Sequence, residues 1–127
     1  MRRSTRHYRV AVGLVAGCLL CVWRWCPLGR VEVTGDSMLP ALAPGDRLLV
    51  RRGRRARIGD VVALTDPRTP ARTLVKRVSA RDGEALTVLG DNAAASTDSR
   101  ILGPVAPAAI RGRVVYRYFP DSRRGRL

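Results

Sequence analysis

From Arg30 onward, short apolar runs alternate with turn residues along the whole chain. Runs rich in Val and Leu predict strands, and the Gly, Pro, Asp and Asn residues between them predict tight turns. Six stretches fit this pattern: RVEVTG, DRLLVRR, GDVVALT, RTLVKRVSA, ALTVLGD and RGRVVYRYF. No helical periodicity persists here, apart from a single turn predicted after Pro107. The pattern therefore predicts one small, mainly antiparallel β domain, barrel-like or sandwich-like, over residues 31–120.

The N-terminal part of the chain has a different pattern. Residues 1–9 carry four arginines, and Val10–Trp23 follows without any charge. These fourteen residues are short for a bilayer, but extension to Leu28 gives nineteen if Arg24 snorkels to the headgroups. A cleaved signal peptide is the alternative, but the run ends in Trp-Arg-Trp-Cys-Pro, which lacks the small residues of a cleavage site. We therefore expect a retained transmembrane helix over residues 10–28, with the basic N-terminal tail in the cytoplasm and the β domain outside.

Arginine dominates the charge of the chain. The 127 residues have a formal net charge of +14, and they include twenty-three arginines and one lysine. Aromatic residues make up only 5%, which disfavours a base-stacking surface, so we expect no nucleic-acid partner. An anionic membrane surface or a merely arginine-rich composition accounts for the charge better. The last residues, 121–127, are basic and polar, and we expect them to form a frayed tail.

The β domain lacks several residue types, and their absence limits the kinds of catalytic or metal site that it can form. The one histidine is His7, and the cysteines Cys18, Cys21 and Cys26 all lie in the apolar N-terminal segment. The domain therefore has no disulfide framework, no spacing typical of zinc ligands, and no histidine for a Ser-His-Asp triad. No glycine-rich phosphate loop follows a strand. We expect neither a metal nor a cofactor.

A serine paired with a lysine remains as a source of nucleophilic chemistry. Lys76 lies in a predicted strand, on the same face as Leu74 and Val78. If that face is buried, desolvation lowers the pKa of the lysine, and its neutral amine can serve as a general base for a serine hydroxyl. If the face is exposed, Lys76 is an ordinary surface residue. The stretch VTGDSMLPAL leaves a similar choice for Ser37, between a turn serine and a nucleophile.

Three separated motifs carry the strongest signal in the sequence. They are GDSMLPAL, which contains Ser37, LVKRV, which contains Lys76, and GDNAAASTDSRILGPV, which begins at Gly90. Together, in this order and at this spacing, they resemble the nucleophile, lysine and C-terminal motifs of the type I signal peptidases, a family of Ser/Lys serine proteases. The likeness runs from Val31 to Pro120. Because larger members carry a second β domain, the chain resembles a minimal bacterial form.

The resemblance implies a role for each matching residue. Ser37 would be the nucleophile and Lys76 its general base, and Ser96 would orient the lysine amine through a hydrogen bond. The remaining matches would support the site: Asp98 and Arg100 as an ion pair, Met38 packed beneath the nucleophile, and Gly90, Asp91 and Asn92 in the turn that brings the third motif to it. The N–H of Ser37 would be the first oxyanion donor. Some members have a hydroxyl residue where this chain has Gly35, so the second donor would be backbone or water.

The resemblance also implies a substrate and a location. A preprotein or leader peptide would bind as an extended strand along a sheet edge near Ser37. Small residues before the scissile bond would enter shallow apolar pockets, for which Leu39, Val50 and Val75 are candidates. The enzyme would be a single-pass endopeptidase of the bacterial cytoplasmic membrane, with the lipid bilayer as its other partner.

Three alternatives remain open from the sequence alone. One keeps the chemistry but restricts it to a single leader, as in the maturation proteases of nickel superoxide dismutase. Another is a self-cleaving repressor, although no helix-turn-helix precedes the serine motif. The third is a non-catalytic basic β module that binds anionic surfaces.

Overall fold

The described part of the chain forms one seven-stranded antiparallel sheet. A computed structural model describes residues 28–53 and 55–127. Its strands are β1 (Leu28–Glu32), β2 (Arg47–Arg51), β3 (Val61–Asp66), β4 (Thr69–Asp82), β5 (Ala85–Leu89), β6 (Ile110–Phe119) and β7 (Gly125–Arg126). They are accompanied by the short helix α1 (Ser99–Leu102) and by 3-10 turns at Ala93–Ala95, Pro107–Ala109 and Asp121–Arg123. All six predicted strands and the turn after Pro107 are present, so the mainly antiparallel β prediction is confirmed.

The strand order places a late strand in the middle of the sheet. The strands are hydrogen-bonded in the order β1-β2-β6-β3-β4-β5, and β7 pairs with β6. Strand β6 therefore joins a half made of β1 and β2 to a half made of β3, β4 and β5. Ser37 follows β1 in the first half, and Lys76 lies on β4 in the second.

The core lies on both faces of β3. Val61 and Ala63 belong to one hydrophobic cluster, and Val62 and Leu64 belong to a second cluster. Because successive strand side chains point to opposite faces, the two clusters lie on opposite sides of the strand. The uninterrupted apolar run VVAL is what a strand buried on both faces requires.

Strand β4 leaves part of one edge open. It pairs with β3 along its first half, and β5 pairs with it only from Arg77 to Asp82. Within the described residues, the edge of Thr69–Lys76 that faces away from β3 therefore has no strand partner. Its backbone N–H and C=O groups are available to an added strand.

The C-terminal residues are more ordered than predicted. Gly125–Arg126 pair with Tyr116 and Arg117 of β6, and the turn before them is anchored by Arg123, which donates to Asp46 Oδ1 at 3.2 Å. The prediction of a frayed tail over residues 121–127 is therefore wrong, because main-chain pairing and the ion pair of Arg123 with the buried Asp46 fix this segment. A two-residue strand has no alternating apolar pattern by which sequence could reveal it.

The predicted membrane anchor, residues 10–28, lies outside the described residues except for Leu28. Leu28 is the first residue of β1 and pairs with Arg51 of β2. The predicted cytoplasmic tail, residues 1–9, also lies outside them. Over the residues that the structure describes, no helix is long and apolar enough to cross a bilayer.

Candidate active site

The first two motifs meet at Ser37 and Lys76. The Nζ atom of Lys76 donates a hydrogen bond to Oγ of Ser37 over 2.6 Å, although the residues lie 39 positions apart. Lys76 is only 2% exposed, and its register partner on β3 is the buried Val62. Ser37 is half-buried and lines an open cleft. The hydroxyl thus faces accessible space while its partner amine is shielded from water.

The surroundings of Lys76 favour its neutral form. Burial lowers the pKa of the Lys76 ammonium, because the charged form loses its hydration. The carboxylate of Asp98 opposes this shift of the pKa, whereas the cations Arg72 and Arg100 add to it. The pKa therefore lies below its ordinary value, and the interpretation of Lys76 as an exposed surface residue is excluded by its burial.

The third motif reaches Ser37 through Asn92 and Gly90. The backbone N–H of Asn92 donates to the carbonyl oxygen of Ser37 at 2.9 Å, and its side-chain Nδ2 donates to the carbonyl oxygen of Asp36 at 3.1 Å. A Cβ atom at Gly90 would lie 2.2 Å from Ser96 Oγ and 2.6 Å from the Ser37 carbonyl oxygen. Only glycine permits this approach of the two segments.

Asp98 is a buried carboxylate at the centre of the third motif. It pairs with Arg100, whose Nε and Nη2 donate at 2.9 and 2.6 Å, and it accepts the N–H of Gly90 at 2.8 Å. It also caps α1 by accepting the N–H of Arg100. The Arg100 guanidinium, helped by the Gly90 N–H and the Ser96 hydroxyl, holds the pKa of Asp98 far below its usual range despite burial. The predicted Asp98–Arg100 ion pair is therefore present.

Ser96 makes a different contact from the predicted one. Its hydroxyl donates to Asp98 Oδ2 at 2.6 Å. Between the described side chains of Ser96 and Lys76 there is no hydrogen bond, so the orienting role of Ser96 stays a prediction.

The other predicted residues surround this arrangement. Met38 is 1% exposed and packs into the core next to Ser37. Asp91 accepts two hydrogen bonds from Arg77, at 2.9 and 2.8 Å, which fasten the Gly-Asp-Asn turn to β4. Gly35 lines the cleft, and apart from Gly35 and its two chain neighbours no atom lies within 4 Å of the Cβ position that another residue would place there.

The cleft in front of Ser37 has a volume of about 110 Å³. Residues 32–38 form one wall, and residues 72–76 on the open edge of β4 form another. The cleft thus places the nucleophile segment beside the open edge of β4.

The lining of this cleft agrees only in part with the predicted apolar pockets. Val75 lines it as predicted, together with Val33 and Leu74. Leu39 and Val50 are not among its lining residues, and Val50 is instead part of the hydrophobic core. Those two assignments are therefore wrong for this cleft.

An ionic cluster behind the nucleophile loop is absent from the sequence-based predictions. Asp46, which is 1% exposed, pairs with Arg117 at 3.1 Å and with Arg123 at 3.2 Å. Both arginines also donate to the carbonyl oxygen of Ala41, at 3.0 and 3.3 Å, and the N–H of Ala43 donates to Asp46 at 3.0 Å. This Asp46 cluster (Asp46, Arg117, Arg123) fixes the loop after the nucleophile. From the sequence alone, Asp46 is predicted only to be a turn residue of APGD.

Known proteins match the chain over the segments that build this site. A family model described as signal peptidase, peptidase S26, matches residues 6–88 and 84–119. The mitochondrial ATP-independent inner membrane protease subunit 1a of Arabidopsis thaliana is 34% identical over 137 aligned positions, which cover 87% of this chain and 82% of that protein. Subunit 1 of the human mitochondrial inner membrane protease is 28% identical, with coverages of 87% and 81%. Subunit 2 from Schizosaccharomyces pombe is 32% identical, with coverages of 79% and 68%.

The matched segments contain all three motifs and six of the seven strands. The family model and the identities to these relatives agree with the resemblance that the motifs carry. The chain belongs to the signal peptidase family, the S26 peptidases.

Proposed function

We propose that this chain is a membrane-anchored serine endopeptidase that cleaves signal or leader peptides after small residues, with Ser37 as nucleophile and Lys76 as general base. The observation that carries the proposal is the 2.6 Å contact between Ser37 Oγ and the buried Lys76 amine. Family membership supports the peptidase class. The lowered pKa of Lys76 supports its role, because a base must be unprotonated to accept a proton.

In the proposed reaction, the neutral Lys76 amine accepts the hydroxyl proton as Ser37 Oγ attacks the scissile carbonyl carbon. The tetrahedral intermediate collapses to an ester on Ser37, and the Lys76 ammonium returns the proton to the departing amine. A water molecule then gives a proton to Lys76 as its oxygen attacks the ester carbon. The second tetrahedral intermediate expels Ser37 Oγ, which takes the proton back from the Lys76 ammonium, and the carboxylic acid product leaves and ionises in solvent.

The backbone around Ser37 supports an oxyanion role for its N–H. This N–H belongs to the peptide unit whose carbonyl is that of Asp36, and Asn92 Nδ2 holds that carbonyl at 3.1 Å. Because the C=O and N–H of a trans peptide point in opposite directions, fixing the carbonyl also aims the N–H. No acceptor among the described residues takes the Ser37 N–H. It is therefore free to donate to the negative oxygen of the intermediate.

The open edge of β4 supports substrate binding as an added strand. Residues 72–76 of this edge line the cleft with Ser37 and include Leu74 and Val75. Main-chain hydrogen bonds would hold the peptide in register, and the small volume before Ser37 would select small residues. A peptide with Ala-x-Ala before the scissile bond is expected to be cut. The same peptide with Phe in place of the Ala directly before the scissile bond is not expected to be cut.

The dyad is tested with Ser37→Ala and Lys76→Ala in the full chain, assayed on the Ala-x-Ala peptide. Each variant is expected to lose at least about 1000-fold in kcat/KM, while its thermal unfolding stays close to that of the parent. Ser122→Ala, at an exposed serine in the last 3-10 turn, is the matched control and is expected to keep full activity. Near-normal cleavage by either dyad variant would exclude the mechanism.

The proposed location has a single pass through the bacterial cytoplasmic membrane, with residues 10–28 as anchor and the catalytic domain outside. The relatives from Arabidopsis thaliana and Homo sapiens are inner membrane proteases by name, which supports membrane association. Protease digestion of intact spheroplasts is expected to degrade the catalytic domain. Survival of the domain until the cells are lysed would contradict this topology.

The range of substrates is tested by N-terminal sequencing of secreted proteins with active or Ala-substituted Ser37. General preprotein processing predicts that several unrelated proteins keep their leaders when Ser37 is replaced. A change in one protein alone would favour the specialised maturation protease instead.

A further inference from the structure

A groove lined by arginines lies on the sheet, away from the cleft at Ser37. Its volume is about 400 Å³. Its lining residues are Arg51, Arg113, Val115, Tyr116, Arg126 and Leu127. It shares none of them with the cleft in front of Ser37, so it forms a separate feature, the arginine groove.

The positive charge of the arginine groove is largely uncompensated. Arg113 pairs with Asp60, at a long distance of 3.4 Å, and its buried Nε has no acceptor among the described residues. Arg51 and Arg126 are exposed, and neither forms an ion pair with any described carboxylate. Three arginines therefore line the groove with one ion pair among them, the long contact of Arg113 with Asp60, and a bound anion would supply further acceptors.

The groove lies where the chain enters the sheet. Leu28, the first residue of β1, is the register partner of Arg51, and Arg51 is in turn the register partner of Arg113. With an anchor that ends at Leu28, this end of the sheet lies at the level of the lipid headgroups. The inference thus rests on the membrane anchoring in the proposed function.

We propose that the arginine groove binds the phosphate of an anionic phospholipid and so orients the catalytic domain on the membrane. Planar guanidinium groups bind phosphate oxygens in pairs, which favours phosphate over a lone carboxylate. The exposed side chain of Leu127 and the ring of Tyr116 suit the boundary between headgroups and acyl chains. Zwitterionic phosphatidylcholine binds less well, because its own cation is repelled by the arginines.

The test titrates full-length Ser37→Ala protein, in a non-ionic detergent, with dihexanoyl phosphatidylglycerol while NMR follows the backbone amides. Shifts are expected at Arg51, at residues 113–116 and at Arg126. The double variant Arg51→Gln/Arg126→Gln is expected to bind about tenfold more weakly. The matched double variant Arg55→Gln/Arg57→Gln removes the same charge outside the groove and is expected to change the affinity less than twofold. Equal weakening in both would overturn the proposal in favour of a diffuse charge effect.

Three further ligands distinguish the source of the phosphate. Dihexanoyl phosphatidylcholine, inorganic phosphate and a short RNA oligonucleotide are each titrated in the same way. The proposal predicts weaker binding of all three in the groove, and tighter or equal binding of any of them overturns the lipid assignment. If the double variant fails to fold, Arg126→Gln alone, at an exposed residue of a two-residue strand, gives the same comparison. Because binding is read on an inactive protein, its outcome is independent of the cleavage assay that tests the peptidase.

Discussion

The Oγ atom of Ser37 and the Nζ atom of Lys76 lie 2.6 Å apart, with the amine buried and the hydroxyl open to the cleft. Since burial lowers the pKa of Lys76, the neutral amine becomes available at a lower pH than for an ordinary lysine. We expect kcat/KM to rise as the pH rises through this lowered pKa and to level off above it. The acid limb of the pH profile on the Ala-x-Ala peptide measures this pKa.

The control for this pH profile is Lys76→Arg, which keeps the positive charge but cannot lose its proton. It is expected to be inactive at every pH, even where the parent is fully active. Activity of this variant with an unchanged acid limb would show that another group titrates.

Arg72 provides a second prediction on the same pKa. Its positive charge lowers the pKa of Lys76, so Arg72→Gln is expected to raise that pKa and to move the acid limb of kcat/KM to higher pH. Because Arg72 also lines the cleft, KM is measured separately from kcat. Arg55→Gln, at an exposed arginine outside the cleft, is the matched control. If the acid limb of kcat/KM does not move in Arg72→Gln, the electrostatic effect of Arg72 on Lys76 is contradicted.

The close packing around Gly90 can be tested with a larger side chain. Gly90→Ala places a Cβ 2.2 Å from Ser96 Oγ and 2.6 Å from the Ser37 carbonyl oxygen, so the two segments must separate. We expect a loss of about 1–3 kcal/mol in the free energy of unfolding and about 100-fold in kcat/KM. Gly125→Ala, whose Cβ meets no atom within 4 Å beyond its chain neighbours, is the control in urea unfolding and in the peptide assay. Wild-type activity of Gly90→Ala would show that this close approach is dispensable.

The amide of Asn92 is expected to act on kcat through the Ser37 N–H. Asn92→Ala removes the hydrogen bond from Nδ2 to the Asp36 carbonyl but keeps the backbone bond to Ser37. We expect kcat to fall about tenfold, with KM nearly unchanged and a loss of about 1 kcal/mol in the free energy of unfolding. Asn92→Asp keeps the shape of the side chain but lacks the Nδ2 donor, and it is expected to show the same changes as Asn92→Ala. A rise in KM at constant kcat would assign Asn92 to substrate binding.

The Asp46 cluster predicts unequal effects for two adjacent arginines. Arg123 pairs with buried Asp46 and holds the Ala41 carbonyl, whereas Arg124 pairs with the exposed Asp121. Arg123→Ala is expected to lower the free energy of unfolding by about 2 kcal/mol, and Arg124→Ala by about 0.5 kcal/mol or less. Urea denaturation of the two variants measures both values. Equal effects would mean that the C-terminal segment does not anchor the nucleophile loop.

The strands could be predicted from the sequence because their signals are local. Turn residues separate the runs, and the run VVAL already indicates a strand buried on both faces. Strand alternation placed Lys76 with Leu74 and Val78, but it could not show that the face is buried. Val75, on the opposite face, is buried as well, so the burial of β4 follows from its place in the sheet rather than from its own pattern.

The Asp46 cluster could not be predicted, for a physical reason. Asp46 pairs with Arg117 and Arg123, which lie 71 and 77 positions away, and twenty-three arginines compete for few carboxylates. Which of them meet depends on how the last 3-10 turn folds back over the sheet. The hydrogen bond from the Ser96 hydroxyl to Asp98 was likewise not predicted, and because a hydroxyl that donates can also accept, the role of Ser96 in orienting Lys76 stays a prediction.

The central position of β6 affects when the protease matures during its synthesis. Ser37 belongs to the half of the sheet formed by β1 and β2, and Lys76 belongs to the half formed by β3, β4 and β5. Strand β6, which joins them, is the last long strand to leave the ribosome. Until it is translated, the strand pairs that join the half with Ser37 to the half with Lys76 cannot form, so the sheet that carries both residues is complete only near the end of synthesis.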